Sequence, residues 1–212
     1  MHFYHTMEKK KRNRRTAKDI EQTILNATGE LIEKNGFSNV TLSDVLQKAK
    51  IEPGVFYKRY NSLTDLFEKY VRTYDYWMND AFDFNPAKNV PEQNCENLLI
   101  GLVDAINSNP SMQKILAWEV AEDNYITRRT AKNREIHTEP LIDYFIENYT
   151  DSKIDIRVVS ALLTSGIYYL CLHKDMSTFC HIDFSTEEGL TALKTNIKEI
   201  IKRLYQNQKP SK

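Results

Sequence analysis

Apolar residues recur at helical spacing through most of the chain. Ile20, Ile24, Ala27 and Leu31 stand four, three and four apart, a single stripe on a helix of about five turns. Thr16 or Ala17 opens this helix. Asn35-Gly36 closes it with residues suited to a left-handed cap. Thr41 precedes Leu42, Val45, Leu46 and Ala49, and Asp44 completes a capping box with it, so a second helix is predicted to end near Lys50. Ile51-Glu52-Pro53-Gly54 is a turn, and Pro53 suits the first turn of a short third helix over 53–60. Ser62 or Thr64 caps a fourth, predicted long, with Leu66, Tyr70, Val71, Tyr74, Trp77, Met78, Ala81 and Phe82 as its apolar positions. Residues 85–94, with Pro86 and Pro91 and no periodicity, read as a loop. Further helices follow over about 92–107, 111–122, 125–148, 155–174 and 185–207. Pro140 should kink or divide the third of these. No strand alternation of useful length and no repeat is present. The chain reads as all-α, with about nine helices.

Composition changes this picture little, but charge placement does. The 212 residues are 41% hydrophobic and 27% charged, with 6 Gly and 6 Pro. That is ordinary globular composition and excludes disorder, collagen and low-complexity repeats. Lys/Arg and Asp/Glu number 29 each, so net charge identifies no partner. Yet residues 1–60 hold 12 Lys/Arg against 7 Asp/Glu, and seven of the bases lie between Lys9 and Lys18. A neutral chain with one basic end points to nucleic acid or another anionic surface.

Three cysteines, Cys95, Cys171 and Cys180, are an odd number and argue for a reducing cytosol rather than a disulfide framework. The apolar stretch over 158–172 is broken by Ser160, Thr164, Ser165, Gly166 and two tyrosines. It reads as too short and too polar to span a bilayer. The first residues, Met1-His2-Phe3-Tyr4-His5, form no signal core. A cytoplasmic protein without a membrane partner is expected.

No Gly-rich phosphate loop, nucleophile elbow or metal-spaced His/Glu pair occurs. An enzyme is not expected, nor a cofactor. Cys171 and His173 lie two apart on a predicted helix, about 200° around its axis. With Cys180 and His181 they do not make convergent zinc ligands, and no metal is expected.

Three short N-terminal helices, a tight turn between the second and third, and a basic arm in front have the layout of a helix-turn-helix DNA-binding module. The third helix must be narrow and exposed to enter a major groove. Pro53, Gly54 and Val55 permit close approach to bases, while Tyr57, Lys58 and Arg59 can reach phosphates. Phe56 and Tyr60, four apart, should turn into the three-helix core.

The runs Gly36-Phe37-Ser38-Asn39-Val40-Thr41-Leu42-Ser43-Asp44-Val45 and Pro53-Gly54-Val55-Phe56-Tyr57-Lys58-Arg59-Tyr60-Asn61-Ser62-Leu63-Thr64-Asp65-Leu66 resemble the TetR family of bacterial transcriptional regulators over residues 16–76. The resemblance implies a homodimeric, one-component regulator, a repressor released from a palindromic operator on double-stranded DNA by a small-molecule effector. Arg14, Thr16, Thr41, Lys50, Pro53, Gly54, Val55, Tyr57, Lys58 and Arg59 are then the DNA-binding candidates. Residues 1–15 would form a basic arm, 16–76 the DNA-binding domain and 77–212 the sensing and dimerisation domain. Three positions depart from the family pattern: Lys50 where glycine is common, Glu52 where a small hydroxyl is usual, and Leu63 where a lysine often touches phosphate.

In the C-terminal part, Phe82, Trp118, Tyr125, Tyr144, Phe145 and Tyr168 are candidates to line an apolar effector pocket, though each singly reads as ordinary core. Val158, Leu162 and Tyr169 form one stripe of the eighth helix, and Leu193, Ile197, Ile201 and Leu204 one stripe of the ninth. Two such helices from each subunit could form a four-helix bundle across a two-fold axis, or else close the monomer's own core. An effector held among the middle helices would move the fourth helix and change the spacing of the two recognition helices, by a shift in populations. The residues alone leave a second reading: a helical interaction protein of the same fold, binding a protein or lipid partner rather than DNA.

Overall fold

The computed structural model describes residues 16–74, 90–149 and 153–206. These form nine α-helices: α1 (Ala17–Asn35), α2 (Leu42–Ala49), α3 (Pro53–Tyr57), α4 (Leu63–Arg72), α5 (Pro91–Ser108), α6 (Pro110–Ala121), α7 (Tyr125–Asn148), α8 (Ile156–His173) and α9 (Glu187–Gln206). A 3-10 turn, Phe37–Asn39, joins α1 to α2. Among the described residues there is no β-strand, only an isolated bridge between Phe179 and Ile182.

Local chemistry sets most helix starts. Thr16 and Asp19 form a capping box, as do Thr41 and Asp44. Ser62, Asn109, Asn124 and Asp155 cap α4, α6, α7 and α8 with side-chain oxygens. Each satisfies a backbone N–H that the first helical turn leaves open. Gly36 ends α1 at φ 75, a conformation that costs glycine little.

Several elements differ from expectation. α3 stops at Tyr57, not at residue 60, because the Arg59 N–H bonds the Phe56 carbonyl at 2.8 Å and tightens the chain into a turn. α4 ends at Arg72, where Thr73 and Tyr74 close with three-residue bonds to Tyr70 and Val71. The expected continuation through Trp77, Met78, Ala81 and Phe82 lies outside the described residues. α5 starts at Pro91, inside the expected loop, since proline fits a first helical position. α7 runs unbroken through Pro140. Ile136 and Pro140 both lie on its solvent face, so water can take the carbonyl that proline leaves without a donor. α8 lies within the expected 155–174; its 18 residues have a mean hydropathy of 1.3, and it is long and apolar enough by length and composition to cross a membrane. The polar interruptions did not lower that average enough.

α1, α2, α3 and α4 enclose an N-terminal core of Ile24, Ile32, Val45, Ala49, Phe56, Leu66 and Val71. Leu63 is partly buried against this core, which accounts for leucine at a position where a solvent-facing lysine was the family expectation. In the C-terminal part α5 is central, packing on α9, α8, α6 and α7. Leu99, Leu102, Val103 and Ile106 are its buried face.

Candidate nucleic-acid interface and ligand cavity

Lys50 sits between α2 and α3 at φ 53, ψ 52, a left-handed residue whose N–H bonds the carbonyls of Leu46 and Gln47. A side chain is therefore accommodated where glycine is usual, at a cost of about 1–2 kcal/mol. The turn keeps its tightness and gains a cation. From it α3 projects with Pro53, Gly54, Tyr57 and Lys58 exposed and Val55 half-buried. Phe56 and Tyr60 point inward, both buried, their rings 5.3 Å apart. Glu52 precedes α3 without a side-chain capping bond.

Not every candidate presents a free polar group. Arg59 turns back, its Nη1 donating to the Val55 carbonyl at 2.9 Å. The Thr41 hydroxyl donates to Asp44 at 2.6 Å and accepts from the Asp44 N–H. The Thr16 hydroxyl likewise accepts from Asp19. Arg14 and the rest of the basic arm lie outside the described residues. Lys50, Tyr57 and Lys58 are the candidates whose polar ends are exposed at this surface.

The second feature is a cavity of about 480 Å³ between α5, α7 and α8, closed from α9 by Ile201. That volume is within the range of about 300–1,000 Å³ common for small-molecule sites. Leu98, Leu99, Leu141, Phe145, Ile156 and Leu163 give it apolar walls. Glu119, Arg134 and Tyr168 stand together in its lining, which Glu135 and Arg157 also enter. The Arg134 guanidinium grips the Glu119 carboxylate with two parallel bonds, one of them 3.0 Å, and lies 5.9 Å from the Tyr168 ring centre.

Of the six aromatic candidates, Phe145 and Tyr168 line this cavity. Phe82 lies outside the described residues. Tyr125 is 68% exposed at the start of α7. The Tyr144 hydroxyl accepts from Asn94 at 3.1 Å, away from the cavity. Trp118 stacks flat on Phe37, ring centres 4.1 Å apart and 7° from parallel. These three are corrections: helical spacing placed them on apolar faces but did not say which neighbour each face meets. Glu119 and Arg134 escaped the sequence reading because they come together from two helices, with no motif between them.

Among the described residues, several polar links join the N-terminal module to the rest of the chain. Ser38 donates to Glu122 after α6, which also accepts from Trp118 Nε1 at 2.8 Å. Ser111 donates to Glu33 of α1, and Arg129 of α7 pairs with Glu68 of α4. The Glu122 carboxyl is held below the usual carboxylate range, first by Ser38 and then by Trp118. A lowered value means the link is complete above the unfolded value of about 4.3 and is lost as pH falls through the folded one. In a Trp77→Phe background, Trp118 fluorescence should change below about pH 4. Glu122→Gln should remove that step; its persistence would assign the step to another group.

The dimer candidates divide. Val158, Leu162 and Tyr169 are exposed on the outer face of α8. Ile197 and Ile201 are buried within the chain, with Leu193 and Leu204 packed beside them. The α9 stripe thus packs within the chain against α5, and Ile200 is the large apolar residue of α9 left exposed. Cys95 and Cys171 are buried and Cys180 exposed, all free thiols. Among the described residues no group of three or more His, Cys, Asp or Glu could hold a metal ion.

Residues 24–70 match the family described as bacterial regulatory proteins, tetR family. Among solved structures, the fatty acid degradation regulator FadR from Bacillus halodurans is similar at TM-score 0.65 and 15% identity, covering 94% of this chain and 99% of that one. A TetR-like transcriptional regulator from Rhodococcus sp. RHA1 gives TM-score 0.64 at 14% identity, with coverages of 92% and 100%. FadR from Bacillus subtilis, in complex with stearoyl-CoA, gives 0.61 at 15%, with coverages of 85% and 96%. No curated protein matches the chain.

Proposed function

We infer that the chain, whose fold is that of solved TetR-type regulators, uses residues 24–70, which match the tetR family, as a helix-turn-helix module. We propose that it is a cytoplasmic, homodimeric regulator of transcription that binds a palindromic operator and is released from it by an apolar small molecule. The observation that carries this reading is α3: five residues, with Pro53, Gly54, Tyr57 and Lys58 exposed and Phe56 and Tyr60 anchored in the core. A helix this short is held by packing, not by its own hydrogen bonds, which suits it to present side chains in a groove. Residues 1–15 supply a basic arm, 16–76 the DNA-binding domain, and 77–212 sensing and dimerisation. The exposed α8 stripe, Val158, Leu162 and Tyr169, supports the dimer. The cavity supports the effector, and the stearoyl-CoA complex of the B. subtilis neighbour makes a long acyl group one candidate.

The test is binding to DNA from upstream of the chain's own gene. Affinity should fall steeply with salt as phosphate counterions return. Tyr57→Phe keeps the ring and removes one phosphate hydrogen bond. It should weaken binding by about 1 kcal/mol, equally across operator variants. Val55→Thr should instead alter base preference at one half-site position. Salt-independent binding, or a Tyr57→Phe variant that selects a different sequence, would reject these assignments.

A further inference from the structure

We propose that the effector is an amphipathic carboxylate, an apolar chain ending in one anionic group, and that it acts by replacing Glu119 as the partner of Arg134. This deepens, and rests on, the reading of the cavity as an effector site. The cavity lining holds two kinds of group. Phe145, Ile156, Leu99 and Ile201 offer nothing polar, while Glu119, Arg134 and Tyr168 form a contiguous charged cluster; the other charged lining residues, Glu135 and Arg157, are exposed, and Arg157 is paired with Asp155. A guanidinium fork suits any carboxylate in the geometry it now offers Glu119.

The two partners are not equally held. Arg134 is in mid-helix on α7, and the Tyr168 ring lies under it at 5.9 Å, a second hold that persists when the ion pair opens. Glu119 lies in the last turn of α6, its side chain about as buried as that of Arg134, 18% against 13% exposed, and among the described residues its carboxylate is bonded to Arg134 alone. Glu119, at a helix end with no second hold, is the partner that can leave; Arg134 would be stranded as a buried cation. An incoming anion that releases Glu119 therefore avoids leaving a buried charge unpaired. An incoming cation that released Arg134 would not.

The same turn of α6 touches the DNA-binding module. Trp118, stacked on Phe37, directly precedes Glu119, and Glu122, bonded to Ser38, follows three residues later. The Arg134–Glu119 pair ties this turn to α7. Releasing it frees the seat of the 3-10 turn that joins α1 to α2, ahead of α3. The occupied cavity is thus read through one helical turn.

The test uses the full chain in a Trp77→Phe background, titrated calorimetrically with decanoate, decanol and decylamine. Decanoate should bind about tenfold or more tighter than the other two and change Trp118 fluorescence. Glu119→Gln removes the competing carboxylate and should strengthen decanoate binding about tenfold, an outcome a merely structural pair would not give. Arg134→Gln should bring acid and alcohol to parity. Equal binding of decanol and decanoate to the Trp77→Phe chain, or weaker decanoate binding in Glu119→Gln, would overturn the proposal and leave an apolar effector site standing. Binding of none of the three would overturn both. Failure of the chain to bind DNA would reject the regulator while leaving the carboxylate site as measured.

Discussion

Ile197→Glu should unfold the protein, whereas Leu162→Glu should leave it folded and monomeric. Both residues are apolar and both lie on C-terminal helices, but Ile197 is 3% exposed and Leu162 is 68% exposed. Ile197 is part of the face that α9 turns toward α5. A carboxylate there would lie in that buried apolar face. Burying it unpaired, with the packing lost as well, costs upward of about 4 kcal/mol, a large part of the stability of an ordinary domain. At position 162 the same carboxylate meets water in the monomer, so the fold should change by less than about 0.5 kcal/mol. In a dimer that buries the α8 stripe, it would face its own copy across the two-fold axis, and two like charges would meet in a dry interface. Circular dichroism should show native helicity for Leu162→Glu and its loss for Ile197→Glu. Sedimentation at micromolar concentration should show Leu162→Glu as a monomer. A Leu162→Glu variant that stays dimeric would move the interface off α8.

The second large effect is expected at Phe56. Its side chain is fully buried, edge-on to Tyr57 at 5.4 Å and tilted against Tyr60 at 5.3 Å. α3 has five residues and no side-chain cap, too few for a helix that stands on its own in water. The Phe56 ring is what fixes its exposed face in place. Phe56→Ala should cost about 3–5 kcal/mol, releasing α3 and abolishing DNA binding to every sequence alike. Amide exchange should show loss of protection in α2 and α3 before α5 and α9, because the α5 core does not use this ring. A variant that kept full affinity with altered base preference would mean that Phe56 reads DNA, contrary to its burial.

These two expectations differ in how far each could be reached without a structure. Phe56 was legible from spacing: four residues from Tyr60, opposite an exposed proline and glycine. Ile197 was not. Its stripe on α9 was plain, but the same stripe serves a subunit interface or an internal core. The placement of α5 against it is what buries Ile197 within the chain. Trp118 is a parallel case: an aromatic on an apolar face, read as a possible pocket wall, which packs on Phe37 instead.

The sequence by itself determined what depends on neighbours along the chain. Thr16 with Asp19 and Thr41 with Asp44 start helices because hydroxyl, carboxylate and open N–H groups lie within one turn. Apolar periodicity found the inward face of α3 through Phe56, and that of α1 in part: Ile24 and Ala27 are buried, Ile20 and Leu31 half-buried, and Ile32, outside the stripe, is fully buried. Tertiary structure decided what depends on residues far apart in the chain: Glu119 with Arg134 at the cavity, Ser38 with Glu122, Glu68 with Arg129. It also decided that Lys50 takes a left-handed conformation, that α4 turns at Thr73 and that α7 passes through Pro140. Local preference in each case is worth only about 1–3 kcal/mol. Packing across the fold supplies more than that, and does so between residues whose separation in sequence leaves no pattern to read.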